Sequence, residues 1–235
     1  MIFWVLLFIL VVLISFVLAM QSMRNFREVP QAQEKDYGLF LIRKTINITA
    51  DFLDQLHTQI LKEGLIVSFE RLFKGSESTL VLFAPRKITQ NYLTSLDLIE
   101  IEDYTDVPKE DILGFEMGTK SSDYKNNRNL QNFFGNFPKL AVDETVWWQL
   151  IIMAKKERFF EVLPRMIVRG RDLIRAAEIE KKLHHLAGGF LIKIPKPYST
   201  GQILQFYKQR SLGKDMHNPT FTSNEVLNLI RLPLL

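Results

Sequence analysis

The sequence predicts an α+β protein: an N-terminal transmembrane helix followed by a ferredoxin-like β-α-β-β-α-β unit and a second α+β unit. Three observations predict it. Residues Ile2 to Met20 form an uncharged run (IFWVLLFILVVLISFVLAM) whose one polar side chain is Ser15. Residues 37–104 alternate short runs rich in strand formers with runs whose apolar positions recur at helical spacing. Beyond residue 109 the alternation resumes, with ILGFEM, TVWWQLIIM and FLIKI separated by charged segments. The expected organisation is an anchor at 1–20, a juxtamembrane linker at 21–36, a first α+β domain at 37–108 and a second, with basic helices, at 109–235.

At 1.5 Å per helical residue the apolar run covers about 28 Å, which matches a hydrocarbon core of ~30 Å. A cleaved signal peptide would need a basic n-region and a small-x-small cleavage site, and neither is present. Arg24 and Arg27 follow the run, so the positive-inside rule places the N-terminus outside and the rest of the chain in the cytoplasm. The membrane-anchor residues are thus Ile2, Trp4, Met20, Arg24 and Arg27, with the Trp4 indole at the outer interface. The run holds no glycine, which excludes a GxxxG dimer seam and leaves homo-oligomer formation by other packing open.

After the linker, YGLFLIR from Tyr37 reads as a strand. Thr49 is the expected N-cap of a helix with Phe52, Leu53, Leu56, Ile60 and Leu61 on one face, and Gly64 its expected stop. Leu65, Val67 and Phe69 alternate with Ile66, Ser68 and Glu70 as in a half-buried strand, and the turn Lys74-Gly75-Ser76-Glu77 returns it to Thr79–Ala84. Pro85 ends that strand, a short helix carries Ile88, Tyr92, Leu93 and Leu96, and LIEIEDY (Leu98–Tyr104) closes the unit. This is the split-βαβ order, with helices on one face of an antiparallel sheet.

In the second half, Ile112–Met117 reads as a strand and Thr145–Met153 as another, with Trp147 and Trp148 on opposite faces. Lys155 to His185 reads as helical, interrupted near Pro164 and Gly170. Phe190–Ile194 follows as a strand, Ser199 or Thr200 caps a helix through Tyr207, and Ser223 caps a last helix.

No cysteine is present, which excludes disulfides, thiolate metal sites and a cysteine nucleophile. Charge is divided between the halves: residues 28–123 carry 10 basic and 17 acidic side chains, residues 124–235 carry 18 and 9. The basic half is the expected contact for nucleic acid, anionic lipid or an acidic protein. Its candidate interaction surface is Arg165, Arg169, Arg171, Arg175, Lys181 and Lys182.

Catalytic signatures are weak. Gly114-Phe-Glu-Met-Gly118-Thr-Lys120-Ser121 departs from a P-loop by an inner glycine one place early, and no apolar-faced helix follows. His57, His184, His185 and His217 have no metal-ligand spacing, and His57 reads as a boundary residue. Glu100, Glu102, Asp103 and Asp106 read as a solvated strand end. No catalytic residue, cofactor or metal is expected.

The single span together with IVSFERLFKGSESTLVLFAPRKI, LIEIEDY, ILGFEM, ETVWWQLIIM, FLIKI and FTSNEVLNLIRLP resembles the N-terminal, pre-motor region of bacterial type IV secretion or conjugation-type ATPases. In that group the segment like Phe221–Pro233 leads into an ATP-binding domain, whereas this chain ends at Leu235. The resemblance implies a non-enzymatic membrane platform or adaptor, with the lipid bilayer and a partner ATPase or other secretion-machine subunit as partners. The alternative reading is a membrane-tethered nucleic-acid-binding protein using the basic half.

Overall fold

A computed structural model describes residues 11–16, 36–105, 110–118, 137–187, 192–193, 198–211 and 220–230. The predicted span therefore lies outside the described residues except for 11–16, and Ile2, Trp4, Met20, Arg24 and Arg27 all lie outside them. Residues 11–16 are helical. Among the described residues no helix is long and apolar enough to cross a membrane.

The protein is an α+β fold on an antiparallel sheet. In chain order the elements are β1 (Tyr37–Ile42), α1 (Ala50–Glu63), β2 (Ile66–Lys74), β3 (Glu77–Pro85), α2 (Arg86–Tyr92), β4 (Leu98–Ile101), β5 (Ile112–Gly118), β6 (Thr145–Ala154), β7 (Phe160–Arg169), α3 (Leu173–Ala187), β8 (Ile192–Lys193), α4 (Thr200–Gln209), β9 (Thr220–Phe221) and α5 (Ser223–Ile230). Among the described residues the strands make one sheet in the order β4-β1-β3-β2-β6-β7-β5-β8, with β9 on β7.

The first six elements follow the order β-α-β-β-α-β, and their strands lie as β4-β1-β3-β2, every pair antiparallel. Local chemistry sets the ends of α1. The Thr49 hydroxyl accepts from the Phe52 N–H at 3.1 Å, and Gly64 takes the left-handed conformation at φ 60° that glycine adopts without a steric penalty. The β2–β3 turn uses Gly75 at φ 57° in the same way.

The sheet continues past residue 108 without a break. β2 pairs with β6 from Ile66↔Met153 to Lys74↔Thr145, and one apolar core draws on both halves of the chain. β2 is consequently not half-buried as its alternation suggests: Val67, Ser68, Phe69 and Glu70 are all buried, because both faces of the sheet are covered there. On one face Phe52, Leu56, Ile88, Ile179 and Val226 bring α1, α2, α3 and α5 onto the sheet. On the other, α4 packs Ile203, Leu204, Phe206 and Tyr207 against Ile112, Trp147 and Ile167. The two indoles divide as their alternation requires, Trp148 in the larger core and Trp147 under α4.

The expected helix over Lys155–His185 is corrected. Phe160–Arg169 is a central strand, paired with β6 along its length and with β5 over Arg165–Arg169, and only Leu173–Ala187 is helical. Pro164 lies just past the last β5 pair, Glu116↔Arg165, where a missing N–H is tolerated. The cap of α5 also shifts by one residue: the Thr222 hydroxyl takes the Glu225 N–H at 3.4 Å, and the Glu225 carboxylate takes the Thr222 N–H at 2.7 Å. Ser223 instead donates to Asp54 on α1. For α4 the expected cap holds, with a reciprocal Ser199–Gln202 box.

Candidate functional site

Strand register brings the most unusual chemistry of the molecule into one row. Glu70 faces Gln149, Gln149 faces Arg165, and Arg165 faces Glu116, so that four side chains cross β2, β6, β7 and β5 on the face under α4. All four are buried. Arg165 is 0 % exposed, the largest of the fully buried side chains.

Burying charge on this scale costs several kcal/mol per ion unless every charge is paired. Here each one is. Arg165 Nε donates to Glu116 at 2.8 Å, its Nη1 donates to Gln149 at 3.3 Å and to the Phe206 carbonyl at 3.0 Å, and its Nη2 donates to the Ser211 carbonyl. Glu70 accepts from Ser68 at 2.9 Å, Gln149 at 3.0 Å and Arg210 at 3.1 Å on one oxygen, and from Arg210 at 3.3 Å and Tyr104 on the other. Arg210 also reaches Asp103 at 2.8 Å.

The row fastens the end of α4. Its last carbonyls take backbone donors, Phe206 from the Arg210 and Ser211 N–H groups and Tyr207 from that of Arg210, and a cation placed there adds a charged donor and complements the helix dipole. Arg165 supplies that cation from below, while Gln149 donates to the Tyr207 carbonyl at 2.9 Å. Arg210, at the C-cap with φ 50°, folds its guanidinium back over the sheet. Burial works against the Arg210 charge, but Glu70 and Asp103 outweigh it and raise its pKa. Burial, reinforced by the Glu70 carboxylate, pushes the Tyr207 hydroxyl well above the usual phenol range. Asp103 sits below the usual carboxylate range, because Arg210 and Thr105 outweigh its partial burial. The arrangement holds a helix on a sheet. Glu70, Glu116, Arg165 and Arg210 are buried within it, and the Asp103 carboxylate is half exposed at its edge.

The candidate interaction surface is dispersed. Arg165 is corrected from surface to interior, since on β7 it points under α4 between Leu163 and Ile167 of the same face. Arg175 is bound to Glu144 at 2.7 Å and to Glu178 at 3.2 Å. Arg171, Lys181 and Lys182 are exposed and Arg169 is half-buried at the end of β7. These residues do not form one basic stripe.

Glu144 is itself buried, and the Arg175 guanidinium holds its carboxyl below the usual range despite that burial. A lowered folded-state pKa contributes stability that is complete above the unfolded value near 4.5 and lost as pH falls through the lower folded value. The Glu144→Gln variant is therefore expected to show a shallower fall in Tm below pH 4.5 than the parent, measured by thermal unfolding across a pH series.

Other sequence candidates fall elsewhere. Gly114 sits mid-strand, where a Cβ would lie 2.9 Å from Ile203 and 3.0 Å from Ile167, so this glycine lets α4 approach the sheet. Gly118 ends β5, and Lys120 and Ser121 lie outside the described residues. His57 is corrected from boundary to interior: its Nε2–H is shared between the carbonyls of Lys155 at 2.9 Å and Phe159 at 3.0 Å, which ties α1 to the β6–β7 turn. His217 and Asp106 lie outside the described residues. Glu100 pairs with Arg86 and Asp103 with Arg210, so the acidic strand end is partly engaged rather than simply solvated. Among the described residues no group of three His, Asp or Glu side chains is placed to hold a metal ion.

No protein-family model matches the chain, and no curated protein matches it. The buried row was legible only in part. Glu70, Gln149 and Arg165 each sit among apolar strand formers in the sequence, and a charge inside such a run is the signal that marks it.

Proposed function

We propose that the chain is a membrane-anchored platform or adaptor subunit of a type IV secretion, conjugation or pilus-like machine, its α+β body on the cytoplasmic side contacting a partner ATPase. In this reading Ile2–Met20 is the transmembrane helix and the first half of the body is a ferredoxin-like unit. The strand order β4-β1-β3-β2 supports the second assignment. One observation carries the first. Residues 11–16 are helical with Val11, Val12, Leu13, Ile14 and Phe16 between 49 % and 61 % exposed, an apolar surface that the body leaves uncovered and that lipid would cover.

The same reading explains how the body spends its charge. Arg165, Arg175 and Arg210 are consumed by internal carboxylates, which argues for a rigid docking body over a phosphate-tracking groove. Nucleic-acid binding through Arg171, Lys181 and Lys182 is the weaker alternative.

Two measurements test the proposal. The full chain is expected to stay with membranes through alkaline carbonate extraction, and a variant lacking residues 2–20 to move to the soluble fraction with its unfolding transition intact. Gentle solubilisation is expected to copurify a P-loop ATPase encoded nearby. Extraction of the full chain by carbonate overturns the anchor. Retention of the body on DNA with a steep salt dependence, and no ATPase, overturns the adaptor assignment.

A further inference from the structure

Two rows toward the β2–β3 turn from the buried charges, the same face of the sheet ends in a cavity of about 560 Å³, lined by Lys74, Val142, Asp143, Thr145, Trp147 and Arg169. We propose that this cavity is a binding site for a carboxylate carried on a flat apolar body. The proposal stands independently of the membrane anchor and of the docking role.

Register builds the site. Lys74 faces Thr145 and Thr145 faces Arg169, which places two cations on either side of a hydroxyl across three adjacent strands. Neighbouring strands are about 5 Å apart, so two long basic side chains converge readily on one anion above the middle strand. The next row inward is Leu72, Trp147 and Ile167, and Trp147 forms the apolar wall. Its indole is held edge-on by Tyr104, with ring centroids at 5.7 Å, and leans on Tyr207 at 5.8 Å. The wall is therefore fixed before any ligand arrives, which lowers the ordering cost of binding.

Three features select the ligand. First, no ion pair or hydrogen bond among the described residues occupies the Lys74 and Arg169 side chains, whereas Arg165 and Arg210, further in on the same face, are each held by a carboxylate. Second, Asp143 on the rim leaves the lining with one net positive charge, which suits a monoanion and opposes a phosphate dianion. Third, Val142 is 81 % exposed at the rim, an apolar side chain that a bound ring touching the open edge of Trp147 would cover. A charge-assisted contact to each cation, a hydroxyl donor between them and an aromatic wall is the recognition set for an aryl carboxylate. Such a group comes from a free organic acid or from a peptide ending in an aromatic residue.

The test uses the full chain in detergent micelles and calorimetric titration with four probes. These are 3-phenylpropionate, its amide, the peptide acetyl-Gly-Gly-Phe with a free carboxylate, and the same peptide amidated. At least one acid is expected to bind, with an affinity on the order of 1 mM for ligands this small, and its amide to bind at least roughly tenfold more weakly. The double variant Lys74→Gln, Arg169→Gln is expected to lose the acid's advantage, while Lys181→Gln, Lys182→Gln, with the same change in charge, keeps it. A tighter peptide acid assigns the site to a protein terminus; equal or tighter binding of 3-phenylpropionate assigns it to a free acid. Absence of binding by both acids, or equal binding of acid and amide, overturns the proposal. So does unchanged affinity in the Lys74, Arg169 variant, and the comparison of acid with amide on the parent chain decides the matter even if that variant fails to fold.

Discussion

Arg165→Met is expected to destabilise the protein by about 3–5 kcal/mol, the range for removing one partner of a buried ion pair. The methionine fills most of the volume, so the loss comes from what the guanidinium leaves behind. Glu116 keeps a buried carboxylate without its 2.8 Å guanidinium partner, the Ser211 carbonyl loses the Arg165 donor, and the Phe206 carbonyl is left with its backbone donors alone. Urea unfolding measures the loss. Hydrogen exchange locates it: the amides of α4 are expected to lose protection first. Adding Glu116→Leu removes the buried charge that faced Arg165 and is expected to recover part of the stability, the Ser211 carbonyl still lacking the Arg165 donor. A single variant as stable as the parent would show that the charge row does not hold α4.

Glu70→Ala is expected to have an effect of the same size, about 3–5 kcal/mol, from the opposite end of the row. Its carboxylate accepts from Ser68, Tyr104, Gln149 and Arg210, and Arg210 is buried with only the half-exposed Asp103 left to answer it. Glu70→Gln keeps an acceptor but not the charge, and its cost is expected to be smaller. Because Gln149 bridges Glu70 and Arg165, the losses from Glu70→Ala and Arg165→Met are expected not to add, with a coupling of roughly 0.5–3 kcal/mol in a double-mutant cycle. Strict additivity would mean that the two ends act separately.

The sequence reveals structure best where a local rule acts alone. Thr49 and Gly64 bound α1 because a hydroxyl cap and a left-handed glycine need no tertiary partner. Trp147 and Trp148 separate onto two faces because strand alternation is a property of the backbone. β7 is hidden for the opposite reason. Its proline and two arginines favour a broken basic helix, and pairing with β6 and β5 overrides that preference. Arg165 therefore reads as surface until its neighbours across the sheet are known. The same holds for His57, whose interior position depends on the carbonyls of a turn about a hundred residues away. Charge row and cavity alike are products of register between strands distant in sequence. A charge set among apolar strand formers marks each member of the row locally, but which members meet, and where the cavity opens, is encoded in no local pattern.

The β2–β6 seam has a consequence for synthesis. β2 ends at Lys74 and β6 begins at Thr145, so at ~5–20 residues per second a ribosome takes about 4–14 s to supply the partner. Throughout that interval the nascent first half carries β2 as an open edge, with apolar side chains on both faces and a Glu70 that has its Ser68 and Tyr104 donors but not yet Gln149 or Arg210. An edge of that kind recruits whatever strand is near. The first half is thus the stage of biogenesis most in need of a chaperone, and emergence of β6 is the event that ends the need.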